Sequence, residues 1–210
     1  MNSEISSIEY EKFRVFLQNV CGILLGHNKQ YLVSSRLSKL MSTHKIGNLT
    51  ELVSKIQQSS NGGLKEQVID AMTTNETLWF RDGYPFDVFK NKLLPELQQR
   101  QSGKARVWSA ACSSGQEPYS LSMMVDEYNN SKIGAEKYSV EFFATDLSRS
   151  MLEVCKKAEY ASLSLGRGLT SERLQRFFDP VDGDVWRIKP EISRRIKFKQ
   201  LNLKDNFISM

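Results

Sequence analysis

Polar side chains that could bind or react are concentrated in the stretch TTNETLWFRD, residues 73–82. The stretch also holds two large aromatic residues, and its pattern is typical of neither a strand nor a helix. Its Arg81 carries a planar guanidinium, which makes paired, charge-assisted hydrogen bonds with carboxylates. This polar stretch is therefore a candidate for holding an anionic group.

A second candidate is the stretch WSAACSSGQEPYS, residues 108–120, which joins a predicted strand to a predicted helix. Small residues at 109–115 permit a tight turn and a close approach of the backbone to a ligand, and the helix N-terminus offers free amides. A turn of this kind needs small residues whether or not a ligand binds. Because the stretch lacks both G-x-G-x-x-G and the phosphate loop G-x-x-x-x-G-K-[ST], a dinucleotide oxidoreductase is not favoured.

Asp146 is the third candidate, because it ends the second predicted strand, YSVEFFATD at 138–146. A carboxylate at this position can accept hydrogen bonds from both hydroxyls of a ribose. The same residue could equally cap a helix that begins at Ser148. Taken together, the three candidates favour an adenosine-containing ligand held without a phosphate clamp, which points to S-adenosylmethionine.

The composition disfavours several other kinds of site. The three cysteines are widely spaced without a C-x-x-C pair, and only two histidines are present, so neither a disulfide framework nor a metal site is predicted. No apolar run reaches the roughly eighteen residues of a membrane helix, and the N-terminus lacks the features of a secretory signal. We therefore expect a soluble, cytoplasmic protein without direct membrane insertion. The formal charge of +5 is compatible with an acidic partner, but a charge of this size is common among proteins and is weak evidence by itself.

The elements that must position these residues change in type along the chain. The first part has apolar residues at helical spacing and a capping-box signature, Ser6 with Glu9, which predicts a small helical bundle. Helices are predicted after Ser6, at about 29–41, from Thr50 to Ile56, at 64–72, and from Pro85 to before 102.

The second part alternates strands and helices. Strands are predicted at 105–111, 138–146 and 195–202, with helices at 117–128 and after Ser148 between them. This alternation predicts a parallel sheet with right-handed crossovers, in which ligands bind at the carboxyl ends of the strands. The fold class is therefore α/β, preceded by an all-helical part.

Four separated motifs resemble, in their order, those of the chemotaxis receptor methyltransferases, the CheR family: TTNETLWFRD, ACSSGQEPYSL, FATDLS and KFKQLNL. KQYLVSSRLSKLM and GLTSERLQRFF also resemble family segments, so the likeness covers nearly the whole chain. The family uses S-adenosylmethionine to esterify glutamate side chains of bacterial chemoreceptors, leaving S-adenosylhomocysteine. The resemblance implies a helical domain at 1–82, including the polar stretch as a cofactor-contacting linker, and a Rossmann-like methyltransferase domain at 83–210.

The resemblance also implies site residues, with Arg81 as the catalytic candidate. The polar stretch would be a lid strand facing the methionine end of the cofactor, although a linker in which Asn75 caps a helix is the alternative. Because a glutamate carboxylate is already ionised at neutral pH, no general base is needed, and catalysis should come from alignment and removal of water. The cofactor-binding positions that the resemblance implies are Asn75, Thr77, Arg81, Glu117, Asp146, Asn202 and Leu203.

A basic stripe on the second predicted helix is the candidate substrate-binding surface. At about 100° per residue, Lys29, Arg36 and Lys39 fall within roughly 80° of one another. Solvated charge is the usual reason for such a stripe. The corresponding helix of the family faces the acidic, cytoplasmic methylation region of chemoreceptors, which implies that partner.

The sequence ends at LNLKDNFISM, after the third predicted strand, whereas the family continues with further strands. The resemblance therefore implies a chain that lacks the family's C-terminal part. We expect only the first three strands of the methyltransferase sheet, and a pocket that is open on one side.

Two other functions would use the same cofactor. A nucleic-acid methyltransferase would suit the positive charge, but the chain has neither an N-P-P-Y motif nor a Pro-Cys nucleophile, so no nucleic-acid partner is predicted. A non-catalytic S-adenosylmethionine-binding regulatory protein would keep Asp146 and Glu117 and transfer nothing. Receptor glutamate methylation is the function that the sequence predicts.

Overall fold

The computed structural model forms two compact units and describes residues 5–58, 62–100, 105–131 and 137–205. Among the described residues, unit 1 contains those up to Thr74, together with Leu147–Arg149 and residues 201–205. Unit 2 contains Asn75–Asp146 and Ser150–Gln200.

Unit 1 is built from helices, as the sequence predicted. The capping box is present, because the Ser6 hydroxyl accepts from the Glu9 amide and the Glu9 carboxylate accepts from the Ser6 amide. The third helix begins slightly before the predicted Thr50, and Asn48 caps it, since its side chain accepts from the Glu51 amide at 2.8 Å. The helices of unit 1 are α1 (Ser7–Cys21), α2 (Gln30–Thr43), α3 (Leu49–Gln58) and α4 (Gly63–Met72).

The core of unit 1 follows the helical spacing of its apolar residues. Phe13 and Leu17 on α1, and Val33 and Leu37 on α2, lie four residues apart and are completely buried. Such pairs lie on one face of a helix, so each helix buries a single stripe. No helix in the described ranges is long and apolar enough to cross a membrane.

Unit 2 contains a parallel sheet of β1 (Ala105–Ser109), β2 (Val140–Asp146) and β6 (Ile196–Gln200). The strand order is β1-β2-β6, with β2 in the centre. This confirms the α/β fold class and the three expected strands. Within the described residues β1 is an edge strand, and the carboxyl ends of β1 and β2 lie side by side because Ser109 pairs with Ala144.

Helices flank this sheet and precede it. The long helix predicted from Pro85 is divided into α5 (Tyr84–Val88), a π-helical turn (Phe89–Leu93) and α6 (Leu94–Arg100). In the π-helical turn the Leu94 amide donates to the Phe89 carbonyl, five residues earlier, and both side chains are buried. Because the π-helical turn is wider than an α-helical one, it places Phe89 and Leu94, which are five residues apart, on the same buried side. After β1 the chain forms α7 (Gln116–Asn130), and after β2 it forms α8 (Arg149–Lys157).

A second, antiparallel sheet of unit 2 was not predicted. It consists of β3 (Glu159–Ala161), β4 (Phe178–Pro180) and β5 (Val185–Ile188), with β5 in the centre. Strands of three or four residues are too short for apolar-polar alternation to be recognised. The accompanying short helices are α9 (Ser162–Leu165), α10 (Ser171–Phe177) and α11 (Pro190–Ser193).

The division between the units falls after Thr74, earlier than the boundary expected after Asp82. Residues 75–82 make their contacts within unit 2. The Asn75 carbonyl accepts from the Ser113 hydroxyl at 3.0 Å, and the Trp79 amide donates to the Arg167 carbonyl at 3.3 Å. Residues 75–82, most of the polar stretch, therefore belong to unit 2, which contains the parallel sheet.

Candidate functional site

The turn between β1 and α7 is held by hydrogen bonds to neighbouring elements of unit 2. The Cys112 amide donates to the Thr145 carbonyl at 2.9 Å, which ties the turn to β2. The Tyr160 hydroxyl donates to the Ser114 carbonyl at 2.7 Å, which ties it to β3. The backbone of the turn is therefore fixed beside the carboxyl ends of the strands.

Gly115, at the N-cap of α7, allows this turn to pack closely. Its φ of 95° lies in the left-handed region that favours glycine. A Cβ atom there would lie 3.0 Å from both the Cys155 sulfur and the Tyr160 hydroxyl oxygen. The small residue at this position is thus required by tertiary packing as well as by the turn.

Asp146 lies where the sequence placed it, at the carboxyl end of β2, and it is only 7% exposed. Its carboxylate accepts a 2.7 Å hydrogen bond from the Ser113 amide. This bond orients the carboxylate at the end of the strand.

Ser113 joins the three candidate segments. Its amide donates to Asp146, its hydroxyl donates to the Asn75 carbonyl, and it lies in the turn after β1. Its φ of 49° is in the left-handed region, which non-glycine residues seldom adopt. In the sequence Ser113 is one of several small turn residues, and its role was not predicted because its two partners are distant in sequence.

The polar stretch is not a strand. Residues 74–78 have no regular secondary structure, and turns follow at 79–82. The expected lid strand is therefore corrected to an irregular segment. The alternative in which Asn75 caps a helix is also wrong, because the next helix begins at Tyr84 with Gly83 as its N-cap. Thr77 in this segment is half-buried.

Arg81 lies in the turn, and its side chain is 57% exposed. Its guanidinium donates to the Glu76 carbonyl at 3.2 Å and lies 3.8 Å from the Asp82 carboxylate. Phe80 and Asp82, on either side, have φ values of 49° and 65°. Left-handed conformations at such residues store strain of about 1–3 kcal/mol each and are typical of functional sites.

Glu117 lies in the first turn of α7 and is exposed. Its carboxylate accepts a 2.7 Å hydrogen bond from the Ser109 hydroxyl, at the end of β1. A negative charge is favourable at a helix N-terminus. Glu117 is thus fixed beside the same strand end as the turn and can accept hydrogen bonds from a cationic amino group.

The buried side chains behind the turn stay neutral. Burial raises the pKa of the Tyr119 and Tyr160 phenols, and a side-chain hydrogen bond with Cys112 that favours the protonated thiol, together with burial, raises the pKa of Cys155. All three groups therefore remain protonated at neutral pH. The Tyr160 hydroxyl and the Cys155 thiol donate to the carbonyls of Ser114 and Ser113 in the turn, whereas the Tyr119 hydroxyl donates to the Cys155 carbonyl of α8.

Asn202 and Leu203 belong to unit 1 by their contacts. The side-chain amide of Asn202 donates to the Val20 carbonyl at 2.8 Å, and Leu203 is 51% exposed. Next to them, the Lys204 ammonium donates to the carbonyls of Gln18 and Asn19 at the end of α1. The cofactor-binding role of Asn202 and Leu203 stays a prediction.

The three cations of the basic stripe have different surroundings. Arg36 of α2 donates to the carbonyls of Met72 and Thr73, at 2.7 and 3.1 Å, and to the Thr74 hydroxyl at 3.0 Å. It therefore caps the C-terminal end of α4, a role that the sequence analysis missed. Lys29, at the N-cap of α2, and Lys39 are exposed.

Comparisons with family models and with known proteins find the same family for both parts of the chain. Residues 75–209 match the family model described as "CheR methyltransferase, SAM binding domain", and residues 8–73 match "CheR methyltransferase, all-alpha domain". The chain is 57% identical to chemotaxis protein methyltransferase Cher2 of Pseudomonas putida, over 97% of this chain and 74% of that protein.

Two further relatives carry related names. Chemotaxis protein methyltransferase 1 of Pseudomonas aeruginosa is 56% identical over 98% of this chain and 75% of its own length. The chemotaxis protein methyltransferase of Escherichia coli is 29% identical over 95% of this chain and 67% of its own length. The two family models and the high identities agree with the motifs and the sheet described above, and the chain therefore belongs to the CheR family of chemotaxis methyltransferases.

Proposed function

We propose that this chain transfers the methyl group of S-adenosylmethionine to glutamate side chains in the cytoplasmic methylation region of bacterial chemoreceptors. The product would be a glutamate methyl ester, and S-adenosylhomocysteine would be released. The observation that carries the proposal is the double hydrogen bonding of Ser113, which brings Asp146 and the segment around Asn75 to one strand end.

Two residues at this strand end, together with Arg81 of the polar stretch, offer groups that fit the cofactor. Asp146 offers a fixed, negatively charged acceptor for ribose hydroxyls, at the place where parallel sheets bind ligands. Glu117 offers a carboxylate for an amino group, and the Arg81 guanidinium offers paired donors for a carboxylate. These groups complement the diol, ammonium and carboxylate of S-adenosylmethionine without a phosphate-binding loop.

The chemistry needs alignment rather than proton transfer. When bound, the cofactor would supply a sulfonium-activated methyl group. A glutamate carboxylate, with an ordinary pKa of about 4.3, is already a nucleophile at neutral pH. The protein's part is then to hold the reacting groups in line and to exclude water. Arg81 would orient a carboxylate at the reaction centre.

The test is methyl transfer by the full 210-residue chain from radiolabelled S-adenosylmethionine to a chemoreceptor methylation-region fragment. We expect label that is released as methanol by mild alkali, as a methyl ester requires, and that is absent when the target glutamates are changed to alanine. Label that resists alkali, or label found in added RNA instead, would contradict the proposal. Cofactor binding without transfer would support the non-catalytic alternative.

Lys39 provides a test of the receptor-binding surface that does not disturb the fold. Lys39→Glu should lower kcat/KM for the receptor fragment about three- to tenfold at low salt, because a charge on the rim of an interface acts mainly through electrostatic attraction. The difference should shrink at raised salt, since screening weakens such attraction. Affinity for S-adenosylhomocysteine should be unchanged.

Arg36 is unsuitable for this test, because its loss would also remove the cap of α4. Lys12→Glu is the matched control: it makes the same charge change at an exposed position of α1. An equal loss in both variants would show that net charge, and not the α2 stripe, attracts the receptor.

A further inference from the structure

Arg173, on α10, contacts the residue immediately before Arg81. Its guanidinium lies 3.7 Å from the centre of the Phe80 ring, a cation–π distance. The same guanidinium makes two hydrogen bonds with the Glu127 carboxylate of α7, at 2.7 and 3.0 Å. Its side chain is only 23% exposed. The paired bonds fix the plane of the guanidinium against the ring.

The backbone of the same turn is held from two further sides. The Phe80 amide donates to the Ser120 hydroxyl of α7 at 3.2 Å. The Trp79 side chain, 1% exposed, makes edge contacts with Tyr160 and Phe178. Gly168 packs so closely on this backbone that a Cβ atom would lie 2.1 Å from the Trp79 carbonyl oxygen.

The contacts of Phe80 and Trp79 hold a turn whose backbone is strained. Phe80 and Asp82, which flank Arg81, both have left-handed φ values. Such values persist only where the surrounding structure over-determines them. The Phe80 side chain, next to Arg81, is held by two contacts: its ring packs against Phe86 with the ring centroids 5.4 Å apart, and the Arg173 guanidinium, which is far from it in sequence, covers its face.

We propose that Arg173 is a positioning residue for the reaction: paired with Glu127, it clamps the Phe80 ring and so holds the turn that presents Arg81. This inference rests on the proposed function for its effect on catalysis, but the clamp itself can be measured without a ligand. A purely structural ion pair would stabilise the unit without affecting this turn in particular.

Arg176 is a matched control within the same helix. It bonds to the Asp126 carboxylate of α7 at 2.8 Å, next to Glu127, and it stacks on Phe177 at 4.9 Å. The Arg173→Ala and Arg176→Ala variants therefore each lose one arginine–carboxylate contact between α10 and α7. The two variants differ in whether the turn of Arg81 is contacted.

The first experiment is native-state amide hydrogen exchange of the full chain and both variants. The amides of Phe80 and Gly83 are hydrogen-bonded, to Ser120 and to the Phe80 carbonyl, and they report opening of the turn. Arg173→Ala should speed their exchange by about tenfold or more, while Arg176→Ala should leave it near wild type. Equal exchange in the two variants would overturn the clamp.

The second experiment is a double-mutant cycle on receptor methylation. Arg173→Ala should lower kcat/KM about tenfold when Arg81 is present, and less than about twofold in an Arg81→Ala background, because residues that act together are not additive. Arg173→Lys should restore little, since lysine lacks the planar fork. Equal losses in both backgrounds would overturn the positioning role. Absence of transfer by the wild-type chain, with the exchange difference intact, would instead contradict the proposed function and support the clamp.

Discussion

Changing Asp146 to alanine should weaken the binding of S-adenosylhomocysteine by about a hundredfold to ten-thousandfold. The residue is nearly buried and is oriented by the Ser113 amide. Two hydrogen bonds from a ribose to a charged acceptor contribute about 1.5–3 kcal/mol each, and about 1.4 kcal/mol corresponds to a tenfold change in affinity. Isothermal titration of the 210-residue chain measures the loss directly.

Asp146→Asn separates the ribose contact from the support of the turn. Asparagine keeps an oxygen that can accept from the Ser113 amide, but it loses the charge, so we expect an intermediate loss of about ten- to a hundredfold. Glu141→Ala is the control, because Glu141 is a carboxylate on the same strand that pairs with Lys197 at 3.4 Å. Wild-type affinity in a folded Asp146→Ala variant would show that the adenosine site lies elsewhere.

Changing Arg81 to alanine should lower kcat/KM for receptor methylation by about a thousandfold, with little effect on the thermal unfolding midpoint. Removing one preorganised donor at a reaction centre typically costs about a hundredfold to a thousandfold in rate. The stability effect should be small because the side chain is more than half exposed and its contact with Asp82 is 3.8 Å long. Steady-state methylation kinetics and a melting curve test both parts.

Arg81→Lys and Arg100→Ala complete this test. Lysine retains the charge but not the paired donors, so it should recover only part of the lost activity. Arg100 on α6 is 77% exposed and pairs with Glu96 of the same helix at 3.7 Å, so its removal should leave activity near wild type. Methylation by Arg81→Ala at the level of Arg100→Ala would exclude Arg81 from the reaction.

Local pattern was sufficient to predict much of the architecture. The capping box of Ser6 and Glu9 and the alternation of strands and helices in unit 2 depend on residues close together in sequence. The position of Asp146 at a strand end followed from the strand's length and apolar pattern.

Other features depended on partners that local pattern cannot reveal. Arg36 was assigned to a basic surface stripe from helical spacing alone, yet its guanidinium caps α4, 36 residues further along the chain. The π-helical turn at Phe89–Leu93 arises from the fit of two apolar side chains to the core. The irregular form of residues 74–78 follows from bonds made in the tertiary structure, such as that of Ser113 to Asn75.

The sequence by itself determined the class of elements, their order, and the residue types able to bind an adenosine-containing cofactor, because periodicity and turn chemistry are local properties. Only the tertiary structure decided how those residues are held. Ser113 joins Asp146 and Asn75 over separations of 33 and 38 residues, and Arg173 reaches Glu127 over 46 residues. Contacts at such separations form when packed elements bring side chains together, so no short window of sequence encodes them.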